Sequence, residues 1–245
     1  MHIIPIKTRT FLPPKDSMYP DLARIAPRLR ERDIILVTSK VVAISEGRCV
    51  PETTAKAKKE LIAKEASAVA NFTWAKQTLF TLKGNTIIAS AGIDGSNGNG
   101  YWILWPEDPM RSAHEIWTFL RKKSGIKELG VVVTDSCCTP MRFGVIGISI
   151  GFFGFHPVES HVGKKDIFGR PFAFSKSNIV DALAAAGVAV MGETTERIPF
   201  AIARDVPQTR FTSKNTESEL LIPPEMDIYY PLLKPVYDRQ KRKKK

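Results

Sequence analysis

Cysteine is scarce: the chain has three, Cys49, Cys137 and Cys138, and no two are spaced as Cys-x-x-Cys. A disulfide scaffold is thereby excluded, and reduced thiols in a cytoplasmic protein are the expectation. Long apolar runs are also missing. The longest, Val145 to Phe155, is dotted with glycine and too short to span a bilayer, so no membrane segment is expected. The opening residues, His2 to Lys7, lack the basic-then-apolar order of a signal peptide. No Gly-x-x-x-x-Gly-Lys-Ser/Thr or strand-linked Gly-x-Gly-x-x-Gly occurs, and the one Gly-x-Ser-x-Gly, Gly147 to Gly151, falls inside the glycine-dotted run that reads as a strand. A P-loop and a Rossmann fingerprint are thereby excluded, and no nucleophile elbow is expected. No internal repeat is present, which excludes a repeat array.

What the chain does have is an ordinary globular composition, with 43% apolar and 25% charged residues over 245 positions, enough to bury a proper core. The net charge of +11 looks like a nucleic-acid signal until it is located. Arg239, Lys241, Arg242, Lys243, Lys244 and Lys245 carry six of those eleven charges, leaving +5 on the rest. Such a terminal cluster reads as a solvated tail, and +5 on the body fits a polyanionic small substrate.

Two segments share one design. Val131 to Val133 reads as a buried strand that ends in Thr134-Asp135-Ser136 and a Thr-Pro turn. Thr86 to Ser90 likewise leads to Asp94 in the turn Gly95-Ser96-Asn97. A carboxylate at the end of a buried strand is costly to desolvate unless a cation meets it. Two of them among small oxygen donors suit Mg²⁺ or Mn²⁺; the alternative is that each merely caps its turn.

Taken in order, Ile3 to Ile6 predicts a first strand, with Lys7 and Arg9 beyond it at a solvated edge or facing a phosphate. Asp21 to Leu29 predicts a short helix. Asp33 to Ile44 predicts a strand interrupted at Thr38-Ser39-Lys40, where two hydroxyls beside a lysine suit a phosphate. Thr53 is expected to cap a helix to about Ala70. Thr78–Lys83 and Thr86–Ser90 flank a Gly84-Asn85 hairpin turn. Trp102 and Trp105 read as core or subunit contacts. Asp108, Pro109 and Gly125 bracket a helix. Val145 to Phe155 predicts a strand whose glycines allow close packing. His156, Glu159 and His161 match no zinc spacing. Ser177 to Val190 predicts an alanine-rich helix, and Ile198 to Ala203 a last strand. Beyond it, residues 206–238 with their five prolines predict an extended arm, and 239–245 a basic tail.

With Ser39-Lys40, Glu46-Gly47-Arg48, Ala91 to Asn97, Thr134-Asp135-Ser136, Asp166 to Arg170 and Met191-Gly192-Glu193 in this order, the chain resembles the coenzyme F420-0:γ-glutamyl ligase family. The resemblance covers residues 1–205. It implies an α+β fold of two closely packed subdomains, mixed sheet and helix, assembled as a homodimer. It also implies a GTP- or ATP-dependent ligase using Mg²⁺ or Mn²⁺ to join L-glutamate to the carboxylate of a deazaflavin- or pterin-type acceptor. Carried across by position, Asp94, Asp135, Ser136 and Glu193 match metal positions. Ser39, Lys40, Asn97 and Thr194 match nucleotide contacts. Asp135 and Arg142 are the expected catalytic pair, with Lys40 and Arg142 neutralising phosphate or carboxylate charge.

The chain departs from the pattern in two places. Ile44-Ser45 stands where the family has a second lysine. The family's Thr-Asp-Thr/Ser-x-Gly-Arg-Pro-x-Arg-Arg-Gly reads here Thr134-Asp-Ser-Cys-Cys-Thr-Pro-Met-Arg142-Phe-Gly144, so Thr139 and Phe143 replace arginines. Fewer cations beside an anion site lean towards a changed acceptor, and a folate is the candidate. The reading from another class is a non-catalytic nucleotide- or RNA-binding protein using the basic tail; no RNA-binding motif supports it.

Overall fold

The computed structural model describes residues 1–74 and 78–243. Its central sheet is assembled from strands far apart in the chain. β1 (His2–Ile6) precedes helix α1 (Tyr19–Ile25), β2 (Asp33–Thr38) and helix α2 (Ser39–Glu46). A smaller set follows: β3 (Cys49–Pro51), α3 (Ala55–Glu65), β4 (Ala68–Trp74), β5 (Thr78–Lys83), β6 (Thr86–Ala89) and β7 (Tyr101–Ile103). The chain then returns through α4 (Pro109–Ser124), β8 (Leu129–Cys138), β9 (Val145–Phe153), β10 (Val158–Ser160), β11 (Lys176–Asn178), α5 (Ile179–Met191) and β12 (Phe200–Arg204). It ends in α6 (Glu217–Leu220) and α7 (Tyr230–Lys243). The result is a mixed α/β structure with several sheets.

The main sheet has the order β1-β12-β2-β8-β9, and only β2 and β8 run parallel. Both faces are covered, which is why its inner strands are continuous apolar runs rather than alternating ones. Ile35, Val37, Val131 and Val133 pack towards α1, α2 and α4, while Ile34, Leu36 and Val132 pack towards α5. β4-β5-β6 and β3-β7 form separate small sheets, and β10 pairs with β11.

Helix α4 has the predicted ends. Asp108 accepts from the Arg111 amide, Pro109 opens the helix, and Gly125 closes it in the left-handed region at φ +76°. The glycines of β9 serve close packing. A Cβ on Gly147 would lie 2.3 Å from the Ala184 carbonyl oxygen, and one on Gly151 would lie 2.2 Å from that of Pro109. Helices α5 and α4 therefore rest directly on the strand backbone.

Four expectations fail for physical reasons. Val41 to Ile44 is helical, not strand. All four side chains are buried, so no polar face marks the helix, and Gly47 caps its end at φ +76°. Thr54, not Thr53, caps α3, and α3 stops at Glu65 because Ala68 onwards is drawn into β4. The strand through Val131 does not end there: β8 continues through Asp135 to Cys138, paired with β9 across a register shift. The end of the expected arm, residues 230–238, is helical and continues as α7 into the basic tail, since Val236 and Tyr237 are buried against Ala68, Ala70 and Leu82. Among the described residues, no helix is long and apolar enough to cross a membrane.

The packing of β9 makes one expectation simple to check. Gly151→Ala forces a methyl into the Pro109 carbonyl and should cost about 2 kcal/mol. That lowers the melting temperature by roughly 5 °C for a chain of this size, read by circular dichroism. An unchanged midpoint would show that α4 does not rest on this strand as described.

Candidate functional site

The parallel pairing of β2 and β8 aligns Thr38 with Thr134. The next residues along each strand, Ser39 and Asp135, therefore lie side by side, and Ser39 donates from Oγ to Asp135 Oδ1 at 3.2 Å. Ser39 is also the first residue of α2, so this carboxylate sits beside a helix N-terminus. The other oxygen, Oδ2, accepts a hydrogen bond from the indole N–H of Trp105. Asp135 keeps some exposure to the cleft, but packing around its carboxyl desolvates it. This burial pushes its pKa up to about 6 against the opposing hydrogen bonds of Trp105, Ser136 and Ser39, and the nearby Asp94 charge adds to the rise.

Asp94 is treated differently. A bridge to Ile103 fixes its backbone, with Asp94 N–H to Ile103 O at 3.0 Å and the reverse bond at 2.8 Å. Lys40 donates to its Oδ2 at 2.8 Å, and the Ser96 amide donates to Oδ1 at 2.8 Å. Burial opposes ionisation here too, but the Lys40 ammonium and the Ser96 hydrogen bonds prevail and hold this carboxyl below the usual range. Lys40 also reaches the Ser96 carbonyl at 2.7 Å, so the Asp94 turn and the start of α2 are tied together.

A third wall comes from the residues after α5. Ser136 donates to Glu193 Oε1 at 2.5 Å, and Asn97 donates from Nδ2 to the Thr194 carbonyl at 2.9 Å. Gly192 turns the chain at φ +81°, and a Cβ there would strike Glu196, which caps the Thr194 amide at 2.8 Å. Together these walls enclose a cleft of about 900 Å³. Ser39, Lys40, Asp94, Asn97, Asp135, Ser136, Glu193 and Thr194 all line it.

Arg142 does not belong to the cleft lining. It is exposed in the turn that joins β8 to β9, beyond the point where the lengthened β8 leaves the cleft. Arg9 lines the cleft, yet its guanidinium is engaged by Asp16 at 2.5 and 2.8 Å and by Asp21 at 3.2 Å. His156 and His161 turn to different partners, Glu219 and Ser177.

Arg197 lines the cleft without having been marked in the sequence, whereas Ser96 and Trp105, which touch its carboxylates, were read only as part of the Asp94 turn and as a core or subunit contact. For Trp105 the signal is that a buried indole needs an acceptor for its N–H. For Arg197 it would have been the glycine-like backbone at φ +56°, which a sequence does not display.

The donors suit a hard divalent cation in kind, since all are carboxylate or hydroxyl oxygens. Asp135 supports the fit further, because its hydrogen-bond partners are all neutral while Asp94 repels it. The side chains stand in pairs rather than as one cage. Among the described residues, no three His, Cys, Asp or Glu side chains are close enough to hold an ion together.

Known proteins are similar to this chain over most of its length. Residues 18–205 match the family model described as F420-0:γ-glutamyl ligase. The coenzyme F420:L-glutamate ligase of Methanopyrus kandleri is 30% identical, over 94% of this chain and 97% of that relative. The protein of the same name from Methanothermobacter thermautotrophicus is 30% identical over 82% and 86%. That from Methanosarcina mazei is 33% identical over 72% and 75%. The matched region runs from before β2 to the end of β12 and contains Ser39, Lys40, Asp94, Asn97, Asp135, Ser136, Glu193 and Thr194: the chain belongs to the F420-0:γ-glutamyl ligase family and is a γ-glutamyl ligase.

Proposed function

We propose that this protein joins L-glutamate to the terminal carboxylate of coenzyme F420-0, with GTP as activating nucleotide and Mg²⁺ or Mn²⁺ as cofactor. The observation that carries the reading is the single cleft that gathers the oxygen donors, Lys40 and the α2 N-terminus. The names of the relatives support the acceptor.

A carboxylate does not condense with an amine in water at useful rates, so it must first be activated. Its oxygen attacks the γ-phosphorus of the nucleotide, forming an acyl phosphate and releasing nucleoside diphosphate. The glutamate amine then attacks the acyl carbon, forming the amide and expelling phosphate, and the amine proton is lost. Ser39 and Lys40, at the first turn of α2, present a hydroxyl, an ammonium and free amide groups to the phosphates. For this Lys40 exchanges Asp94 for a phosphate oxygen. Asn97 and Thr194, already bonded to each other, close the opposite side around the nucleotide. Asp94, Asp135, Ser136 and Glu193 would hold the metal, whose charge offsets that of the three anionic reactants. Arg142 stands outside the cleft as described, so the reading assigns it no contact with the reacting atoms.

Residues 1–205 form the ligase unit in this reading, and the C-terminal helix is an addition to it. The protein works in the cytoplasm, in keeping with its three free cysteines. It is a homodimer, for which the exposed apolar side chains between β10 and β11 offer a surface. Ile167, Phe168 and Phe174 there are 92%, 86% and 85% exposed.

The deciding experiment presents F420-0 and monoglutamyl folate in parallel, with GTP or ATP, Mg²⁺ or Mn²⁺ and glutamate, and weighs the products by mass spectrometry. Addition of glutamate to F420-0 with GTP is expected. Addition to the folate alone would move the acceptor to the alternative that the Cys137-Cys138-Thr139 loop suggests. Asp135→Asn should lower turnover at least about a hundredfold with an unchanged melting temperature; full activity would remove Asp135 from the mechanism. Phe168→Asp combined with Phe174→Asp should convert the dimer to monomer in sedimentation, and a dimer that persists would place its interface elsewhere.

A further inference from the structure

Trp105 touches a proposed metal-holding carboxylate and has no part in the mechanism above. It follows β7 and is only 5% exposed. Its indole N–H donates to Asp135 Oδ2, while Ser39 serves Oδ1. The two donors differ in freedom. A serine hydroxyl rotates about one bond, but an indole N–H points wherever its ring is held.

The ring is held from three directions. On one side Gly92 leaves the space it fills, since a Cβ there would come within 2.1 Å of Trp105 Nε1. The ammonium of Lys83 lies 5.4 Å from the ring centroid, within range of a cation–π attraction. The backbone is gripped as well, because Arg48 donates from Nε to the Trp105 carbonyl at 3.2 Å. Arg48 and Lys83 are themselves locked together, both donating to Oε2 of the half-buried Glu65 at 2.7 and 2.8 Å. A charged triad from α2's exit, α3 and β5 thus braces one indole, and the indole braces one carboxylate.

We propose that Trp105 is a positioning residue that sets the divalent-cation affinity of the site. Its N–H fixes the rotation of the Asp135 carboxylate, so that the lone pairs it leaves free face the cleft. The proposal rests on the reading of Asp135 as a metal-holding residue. Loss of such an outer hydrogen bond typically weakens metal binding by about 10- to 100-fold.

The test replaces Trp105 with β-(3-benzothienyl)alanine, which keeps the ring shape and puts sulfur in place of the N–H. Mn²⁺ binding to the full chain is followed by electron paramagnetic resonance of the free ion, without nucleotide, alongside the melting temperature. The expected result is Mn²⁺ affinity about tenfold weaker with a melting temperature close to that of the parent. In the Asp135→Asn background the same replacement should have no further effect on Mn²⁺. Unchanged Mn²⁺ affinity in the benzothienyl protein, with Asp135→Asn still weakening it, would overturn the role of Trp105 alone. Asp135→Asn binding Mn²⁺ as well as the parent would overturn both this role and the metal site it depends on.

Discussion

The structure depends on the register of one parallel strand pair. With Thr38 opposite Thr134, strand β2 gives way to helix α2 at the level where β8 presents Asp135. A slip by one residue would turn the carboxylate to the other face of the sheet and bury it under α5. The register is specified by apolar side chains on both faces, so the same burial that stabilises the core also aims the site. The candidate cleft is therefore placed at the carboxyl ends of the parallel strands, where helix α2 begins.

Two carboxylates share the cleft, and their surroundings separate their roles. Asp94 is exposed to a lysine and an amide, and it stays ionised without help. Asp135 has only neutral hydrogen-bond donors, with the like charge of Asp94 nearby and the Lys83 ammonium acting on it only through space, and its carboxyl is pushed up where that of Asp94 is held down. The Lys40 ammonium is thus paired with Asp94 rather than with Asp135.

Legibility in the sequence followed how local each determinant is. Helix α4 was legible because Asp108, Pro109 and Gly125 each act within a few residues. The glycines of β9 were legible as close packing, although not which helices press on them. Val41 to Ile44 was misread because a helix buried all round shows no period, and the same β-branched run fits a strand. Most cleft residues were legible as short ordered motifs. Trp105 was not, because its partner Asp135 lies in another strand and nothing beside it in sequence marks the indole as polar. That Arg142 lies outside the cleft lining was not legible, since where β8 ends is decided by pairing with β9.

The order β1-β12-β2 has a consequence for how the chain is made. β12 fills the slot between the first two strands, yet it is synthesised after almost every other element. At ribosomal speeds the gap between β2 and β12 lasts on the order of ten seconds or more. During that time both early strands present open edges and apolar faces to the crowded nascent-chain environment. The native sheet closes only when Phe200–Arg204 arrives, and Arg204 then meets the fully buried Asp33 at the start of β2, at 2.7 and 2.8 Å. A chain cut short before the last strand keeps β2 paired with β8 on one side only, and leaves the buried Asp33 without its counter-charge.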